Sequence, residues 1–404
     1  MHAWPNVDVP HLSLLAPAPA IFDSASQALV TLPTGKRTSI YVCGITPYDA
    51  THMGHAATYV AFDTLIRLWR ASGADVDYAQ NITDVDDPLI ERALATGKDW
   101  QDIAIEQTEL FRTDMTALRV VPPAHYIGAV ESIPLVIERI QQLQQADAVY
   151  SLDTDLYYPV TKASTVGQIA HLSQSEMETV FAQRGGDPNR PGKHEPLDAL
   201  LWRGQQPNDP WWESPFGNGR PGWHIECAAI ALEYLGPQID VQGGGSDLKF
   251  PHHEMSAAHA ESATGQSPFA GAYMHTGMVA LDGEKMSKSL GNLVFVSKLR
   301  AQGVDPMAIR LTILTHHYRQ DWEWFDSALA DNVERLTIWR TAFQSHHPAP
   351  DISEHIISAL ANDLDTPTAI ALVDAWATST LSQTHPESHN HDVAQTVDAL
   401  LGVI

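Results

Sequence analysis

An α/β fold with a parallel sheet is what the sequence predicts, and three neighbouring stretches predict it. SIYVCGI (39–45) is a strand-length run rich in β-branched and aromatic residues. AATYVAFDTLIRLWRASG (56–73) has apolar residues at helical spacing and closes on Gly73, and DVDYAQNITDVDD (75–87) reads as a second strand entering an acidic loop. Strand, turn, helix, strand is a βαβ unit, and in such sheets ligands collect beyond the carboxyl ends of the strands.

The remaining elements follow in chain order. Residues up to about 38 are mixed and turn-rich, and an amphipathic helix around ESIPLVIERIQQLQQ is expected over 124–146. QRGGDPNRPGKHEP (183–196), full of Gly, Pro and Arg, reads as part of an insertion. The sheet pattern then resumes. GWHIECAAIALEYLG (222–236) is a helix, QIDVQGGGSDL (238–248) a strand ending in a glycine loop, and AYMHTGMVALDGEKMSKSLGN (272–292) a strand feeding a lysine loop. Beyond 300 the chain turns helical, and the His-rich stretch SQTHPESHNHD (382–392) reads as a solvated loop between helices. The expected division is 1–123 and 220–300 as two halves of one domain, 124–219 as an insertion and 301–404 as a helical region.

Composition narrows the function. A chain of 404 residues with 44% apolar residues can bury a large core. It has no apolar run of the ~18 residues that a membrane span needs, and its start lacks a secretory layout. The cytoplasm is therefore expected, and in that reducing compartment Cys43 and Cys227 are expected as free thiols or metal ligands. A formal charge of −25 repels polyphosphate backbones, which makes nucleic acid a poor partner.

Two motifs carry chemistry. His52-Met53-Gly54-His55 stands where a strand gives way to a helix; free N–H groups there attract anions, and glycine lets a phosphate approach the backbone. Lys285-Met286-Ser287-Lys288-Ser289 concentrates two ammonium groups and two hydroxyls in five residues, which can follow a pyrophosphate as charge builds on it. Both motifs, in this order and each after a strand, point to a nucleotide enzyme.

With YVCG-x-T-x-YD, NITDVDD, GRPGWHIEC, GGGSDL-x-FPHHE, EKMSKSLGN and HYR near 318, the chain resembles class I aminoacyl-tRNA synthetases, and cysteinyl-tRNA synthetases in particular, over most of its length. That resemblance implies a Rossmann-like catalytic domain with an inserted connective segment and a C-terminal helical bundle. It also implies activation of L-cysteine by ATP, with Mg²⁺ on the nucleotide, and catalysis by His52, His55, Lys285 and Lys288. Cys43, Cys227 and His252 align with the family's zinc ligands; Ser256 replaces its further carboxylate ligand, leaving a Zn²⁺ site of three protein ligands with an open position that favours a soft thiolate over a hydroxyl. The substrate and its adenylate are expected to meet Cys43, Gly44, Ile45, Thr46, Thr58, Asn81, Ile82, Thr83, Trp223, Gly245, Ser246, Asp247 and Val279.

Other features separate the chain from the tRNA enzymes. Between 327 and 404 only Arg335 and Arg340 face ten acidic residues, and little sequence follows ANDLDTPTAIALVDAW (361–376) to hold an anticodon-binding extension. Ala57 stands where the synthetases usually carry arginine. CGITPYDATHMGHAAT and RGGDP (184–188), which follows Gln183 where the motif usually begins with Glu, are similar to the synthetase paralogues of mycothiol biosynthesis, cysteine ligases that act on glucosaminyl-inositol. The acceptor this implies is a sugar amine, with tRNA a poor alternative, no membrane partner and a monomer expected. Asp84, Asp86, Asp87, Asp247 and Glu254 are equally eligible as the base for that amine.

Overall fold

The computed structural model describes residues 1–35, 37–49, 51–163, 165–286, 291–344, 352–382 and 391–404. A five-stranded sheet lies at its centre, in the order Ala270–Thr276, Ile239–Gly245, Arg37–Val42, Asp75–Ile82 and His125–Gly128. Every neighbouring pair is parallel. The strand order reverses between Arg37–Val42 and Ile239–Gly245, and this switch point opens a crevice at the carboxyl ends. Both strands are buried and apolar enough to be covered by helices on each face.

The βαβ reading holds: helix Met53–Ala71 links the first two strands, with its last turn closed by Ser72 just before Gly73. One element differs from expectation. Within 124–146 the helix occupies only Ile133–Gln145, and His125–Gly128 is the edge strand of the central sheet. Tyr126 and Ile127 are buried there and pair with Gln80 and Asn81, so burial between layers outweighs a run too short to show a period. The turn-rich start also contains an antiparallel hairpin, Ala20–Asp23 with Ala28–Thr31.

Within the segment expected as an insertion, Tyr150–Leu152, Asp155–Tyr158 and Ala199–Gly204 form, with Gly219–Pro221, a four-stranded antiparallel sheet, with helix Gln174–Gln183 beside it. Met177 and Phe181 of that helix pack on Phe250 and Met255, which fixes the insertion against the loop after Ile239–Gly245. Helices Pro306–Leu314, Asp326–Phe343, Ile352–Ala361, Thr366–Ser382 and His391–Leu400 follow. Their Trp339, Leu360 and Val397 share one core with Leu65 and Trp69 of helix Met53–Ala71. Residues 383–390 of the His-rich stretch lie outside the described residues.

A buried ion cluster ties that helix to the far end of the chain. Asp63 accepts from Arg67 Nε at 2.7 Å, from the Arg310 guanidinium and from the Val121 amide at 2.7 Å. Arg310 Nε donates to the Leu401 carbonyl at 2.6 Å, and Arg67 Nη1 to those of Asp398 and Ala399 at 3.2 Å. Among the described residues no helix is long and apolar enough to cross a membrane.

Candidate active site

Cys43 is the first residue after strand Arg37–Val42, held by its amide on the Gly243 carbonyl at 2.9 Å and by its own carbonyl on the Tyr59 hydroxyl at 3.0 Å. Cys227 comes from the second turn of helix Trp223–Tyr234, and His252 from the irregular turn before helix Glu254–Thr264. Three elements thus deliver three soft or borderline donors to one point: a ligand atom from each of Cys43, Cys227 and His252 lies within 4.8 Å of the other two, and all three residues are buried.

The surroundings suit a cation. Burial pushes the Cys43 thiol up, whereas hydrogen bonding from that thiol, then the His252 ring, hold Cys227 well down. Cys227 Sγ lies 3.2 Å from His252 Nε2. His252 Nδ1 meets His224 Nδ1 at 3.1 Å, and Trp223 stacks on the His252 ring at 4.3 Å, so a ring nitrogen, the ring plane and the thiolate fix this imidazole. The donor set, two thiols and an imidazole in a dry pocket, fits Zn²⁺. Ser256 points elsewhere: its hydroxyl accepts from Gln242 and donates to the His253 carbonyl.

A second chain of imidazoles backs the first. His253 Nε2 is 3.2 Å from Cys43 Sγ, its Nδ1 is 2.8 Å from His275 Nε2, and His275 Nδ1 is 2.8 Å from Ser24 Oγ. Burial lowers the basicity of His224, His253 and His275 alike, which keeps these rings neutral. Sequence reasoning missed His224, His275 and Ser24. His224 was within reach, since it sits between Trp223 and Cys227 in a quoted motif, whereas nothing in the sequence ties residue 24 to residue 275.

Through Cys43 the cluster borders a cavity of about 380 Å³ at the switch point. Cys43, Gly44, Ile45, Thr46, His52, His55, Thr58, Trp223, Gly245, Asp247 and Val279 all line it, as expected from sequence. Four expected residues take other places. Asn81, Ile82 and Thr83 are buried behind the wall: Asn81 Oδ1 accepts from the Gly44 amide at 2.8 Å, its Nδ2 donates to Thr83 Oγ1 at 3.1 Å, and the Thr83 amide donates to the Ile45 carbonyl at 3.0 Å. They hold the 43–46 loop in place. Ser246 begins a short 3₁₀ turn between the lining residues Gly245 and Asp247. Gly44 is required by this fit, because a Cβ there would stand 1.6 Å from the Asn81 carbonyl oxygen.

His52 caps helix Met53–Ala71, its Nδ1 accepting from the Gly54 amide at 3.1 Å, and its ring stacks on His55 at 3.7 Å. The positive end of a 19-residue helix and two imidazoles therefore face the cavity together. Lys285 lies in strand Glu284–Lys285, paired with Ala280. Its side chain and residues 287–290, Lys288 among them, lie outside the described residues. On either side of that stretch Met286 and Leu293 both line the cavity.

Residues 30–334 match the family described as tRNA synthetases class I (C) catalytic domain. Curated relatives match from end to end: the L-cysteine:1D-myo-inositol 2-amino-2-deoxy-alpha-D-glucopyranoside ligase of Kribbella flavida is 57% identical over 411 residues, and that of Streptomyces coelicolor 55% over 412, with 100% of both chains covered in each case. Among solved structures, Mycobacterium tuberculosis methionyl-tRNA synthetase in complex with methionyl-adenylate aligns with a TM-score of 0.61 at 16% identity, covering 91% of this chain and 89% of that one. The ternary LeuRS–tRNA–LeuAMS complex of Agrobacterium radiobacter aligns at 0.62 and 11%, covering 91% and 83%. The chain therefore belongs to the class I (C) tRNA synthetase catalytic-domain family and, within it, to the L-cysteine:1D-myo-inositol 2-amino-2-deoxy-alpha-D-glucopyranoside ligases.

Proposed function

We propose that the protein is an ATP-dependent ligase of mycothiol biosynthesis: it activates L-cysteine as cysteinyl-AMP, releasing pyrophosphate, and transfers the cysteinyl group to the amine of glucosaminyl-inositol, releasing AMP. One observation carries this reading. Cys43 of the Cys43–Cys227–His252 cluster lines the same cavity as His52 and His55 at the helix start, so a thiol-selecting site and a phosphate-attracting site lie within reach of one small substrate.

Cys43, Cys227 and His252 would hold one Zn²⁺, which supplies a Lewis-acidic site that prefers a thiolate to a hydroxyl and so separates cysteine from serine. Trp223 holds the His252 ring and flanks the substrate, Asp247 receives its ammonium group, and Thr46 orients its carboxylate toward the α-phosphate. Holding those two reactants in line contributes on the order of 7–11 kcal/mol in favourable systems. His52 and His55, with Lys285 and Lys288 from the lysine loop, stabilise charge on the departing pyrophosphate, whose Mg²⁺ arrives with ATP.

A small polyol amine suits the protein better than tRNA does. Arg335 is paired with Asp374 and Arg340 with Asp305, so the two Lys or Arg residues after 327 are already engaged by acids of the same chain. The working form is a cytoplasmic monomer. The test uses zinc-replete protein and radiolabelled cysteine: cysteine-dependent pyrophosphate exchange is expected, followed by transfer to glucosaminyl-inositol and none to tRNA. Absence of exchange refutes the activation chemistry, and transfer to tRNA alone refutes the ligase assignment.

A further inference from the structure

A second cavity, of about 260 Å³, lies on the other side of Trp223. Its walls come from the insertion and from the acidic loop after strand Asp75–Ile82, and Trp223 lines both cavities. We infer that this is the acceptor subsite, where hydroxyls of the sugar and inositol rings bind the insertion and Asp86 receives the proton of the attacking amine; the inference rests on the ligase reading above.

The lining has the chemistry of a polyol site. Arg184, Arg190, Arg203 and Arg220 supply donors, and Asp86, Asp87, Asp155 and Asp187 supply acceptors. Donors and acceptors side by side match hydroxyls, each of which both donates and accepts. The lining suits a polyphosphate poorly, because four carboxylates would face it. The RGGDP segment gains a role here. Arg184 donates to the Asp247 and Phe250 carbonyls and so ties the insertion to the loop carrying both Asp247 and His252. Gly186 seats against the Phe181 ring, where a Cβ would lie 2.4 Å from it, and Asp187 is fixed by Tyr157 at 2.5 Å and Lys193 at 2.9 Å.

Geometry separates the five carboxylates that the sequence left equal. Asp84 accepts from the Val130 amide at 2.9 Å and faces a different cavity, beside Met1 and Trp100. Asp87 is engaged by Arg203 at 3.1 Å and by Arg220. Glu254 accepts from the Ile169 and Ala170 amides at 2.8 and 2.9 Å, and Asp247 lines the adenylate cavity. Asp86 alone of the five stands between the cavities: it lines the second, while its Oδ2 lies 3.5 Å from the hydroxyl of Thr46, which lines the first. Its Oδ1 accepts only a neighbouring amide, that of Asp87, at 2.8 Å. Burial raises this carboxyl to about 6, opposed first by the Asp87 amide and then by Arg220 and Thr46, while the Asp87 carboxylate adds to the rise. Such a group accepts a proton near neutrality and returns it readily.

The step balances as follows. The acceptor ammonium releases one proton to solvent, and its nitrogen lone pair forms the N–C bond to the cysteinyl carbonyl carbon. The C–O bond to the phosphate breaks with its electron pair on AMP. The second N–H proton passes to the Asp86 carboxylate and from there to water.

Acceptor kinetics on the zinc-loaded enzyme test this. Asp86→Asn is expected to lower kcat for ligation by about 100-fold or more, the range of general-base catalysis, and to remove the inflection near pH 6 from the pH profile while leaving that of the acceptor amine. Arg203→Gln should raise the acceptor KM by about tenfold, as loss of a charged hydrogen bond does, with the KM for cysteine little changed. Pyrophosphate exchange on each variant shows that the fold and the first cavity persist. Wild-type ligation with both variants matching it in acceptor kcat and KM overturns the subsite. A wild type that exchanges pyrophosphate but ligates no glucosaminyl-inositol fails at the earlier reading, and the acceptor site falls with it.

Discussion

Cys227 illustrates how much one atom decides. Its sulfur is the donor that helix Trp223–Tyr234 brings to the cluster, and an oxygen in its place is a harder ligand that stays protonated. Cys227→Ser is expected to bind less than about a tenth of the wild-type zinc, the scale on which lost ligation weakens a site, and to lose cysteine-dependent pyrophosphate exchange. Metal analysis of the purified variant checks the first, and full exchange without bound metal would refute the ligand assignment. At this scale the sequence was informative where a motif could be matched: Cys43, Cys227 and His252 were named from resemblance, and they meet. It was silent on the hydrogen-bonded chain His253–His275–Ser24, because contacts across 22 and 251 positions leave no local pattern. Asn81 and Thr83 were read as substrate contacts for a related reason. A motif marks residues that a site needs without saying whether they touch the ligand or hold the loop that does.

Helix Met53–Ala71 is the element on which the nucleotide end depends, and its middle is anchored by charge. Burial opposes ionisation of Asp63, but Arg310 and Arg67 outweigh it and hold its carboxyl below the usual range. A depressed acid stabilises the fold above its unfolded pKa of about 3.9, and that contribution disappears as the pH falls through the lower folded value. Asp63→Asn leaves two guanidinium groups buried without their carboxylate and is expected to cost about 3–5 kcal/mol at pH 7. The variant should also lose part of the acid-dependent drop in stability seen below about pH 4. Denaturant titrations at pH 7 and at acid pH measure both, and equal stability of the two proteins would show that the cluster contributes nothing. The helix was legible because 18 residues repeat an apolar spacing, but nothing in that spacing marks Asp63 and Arg67 as buried. Their burial follows from partners at 121, 310 and 398–401, which no window along the chain includes.

At the scale of the molecule, the net charge of −25 and the scarcity of lysine and arginine after 327 argue against a nucleic-acid surface. The parallel βαβ sheet was likewise readable, whereas its strand order, its edge strand His125–Gly128 and the pairing within 150–221 were not, since those strands pair across Gly- and Pro-rich turns of irregular length. The carbonyls of Asp398, Ala399 and Leu401 that receive Arg67 and Arg310 have a consequence of their own. At about 1.5 Å per residue, Arg67 sits roughly 22 Å along its helix from His52. Removing the residues from 398 onward is expected to quicken amide exchange in the first turns after His52 and to slow pyrophosphate exchange, though no deleted atom lies near ATP. Unchanged exchange rates would sever that link. A peptidase nibbling at the carboxyl tail would then silence catalysis from behind, the way a slackened backstay lets a mast lean at its top.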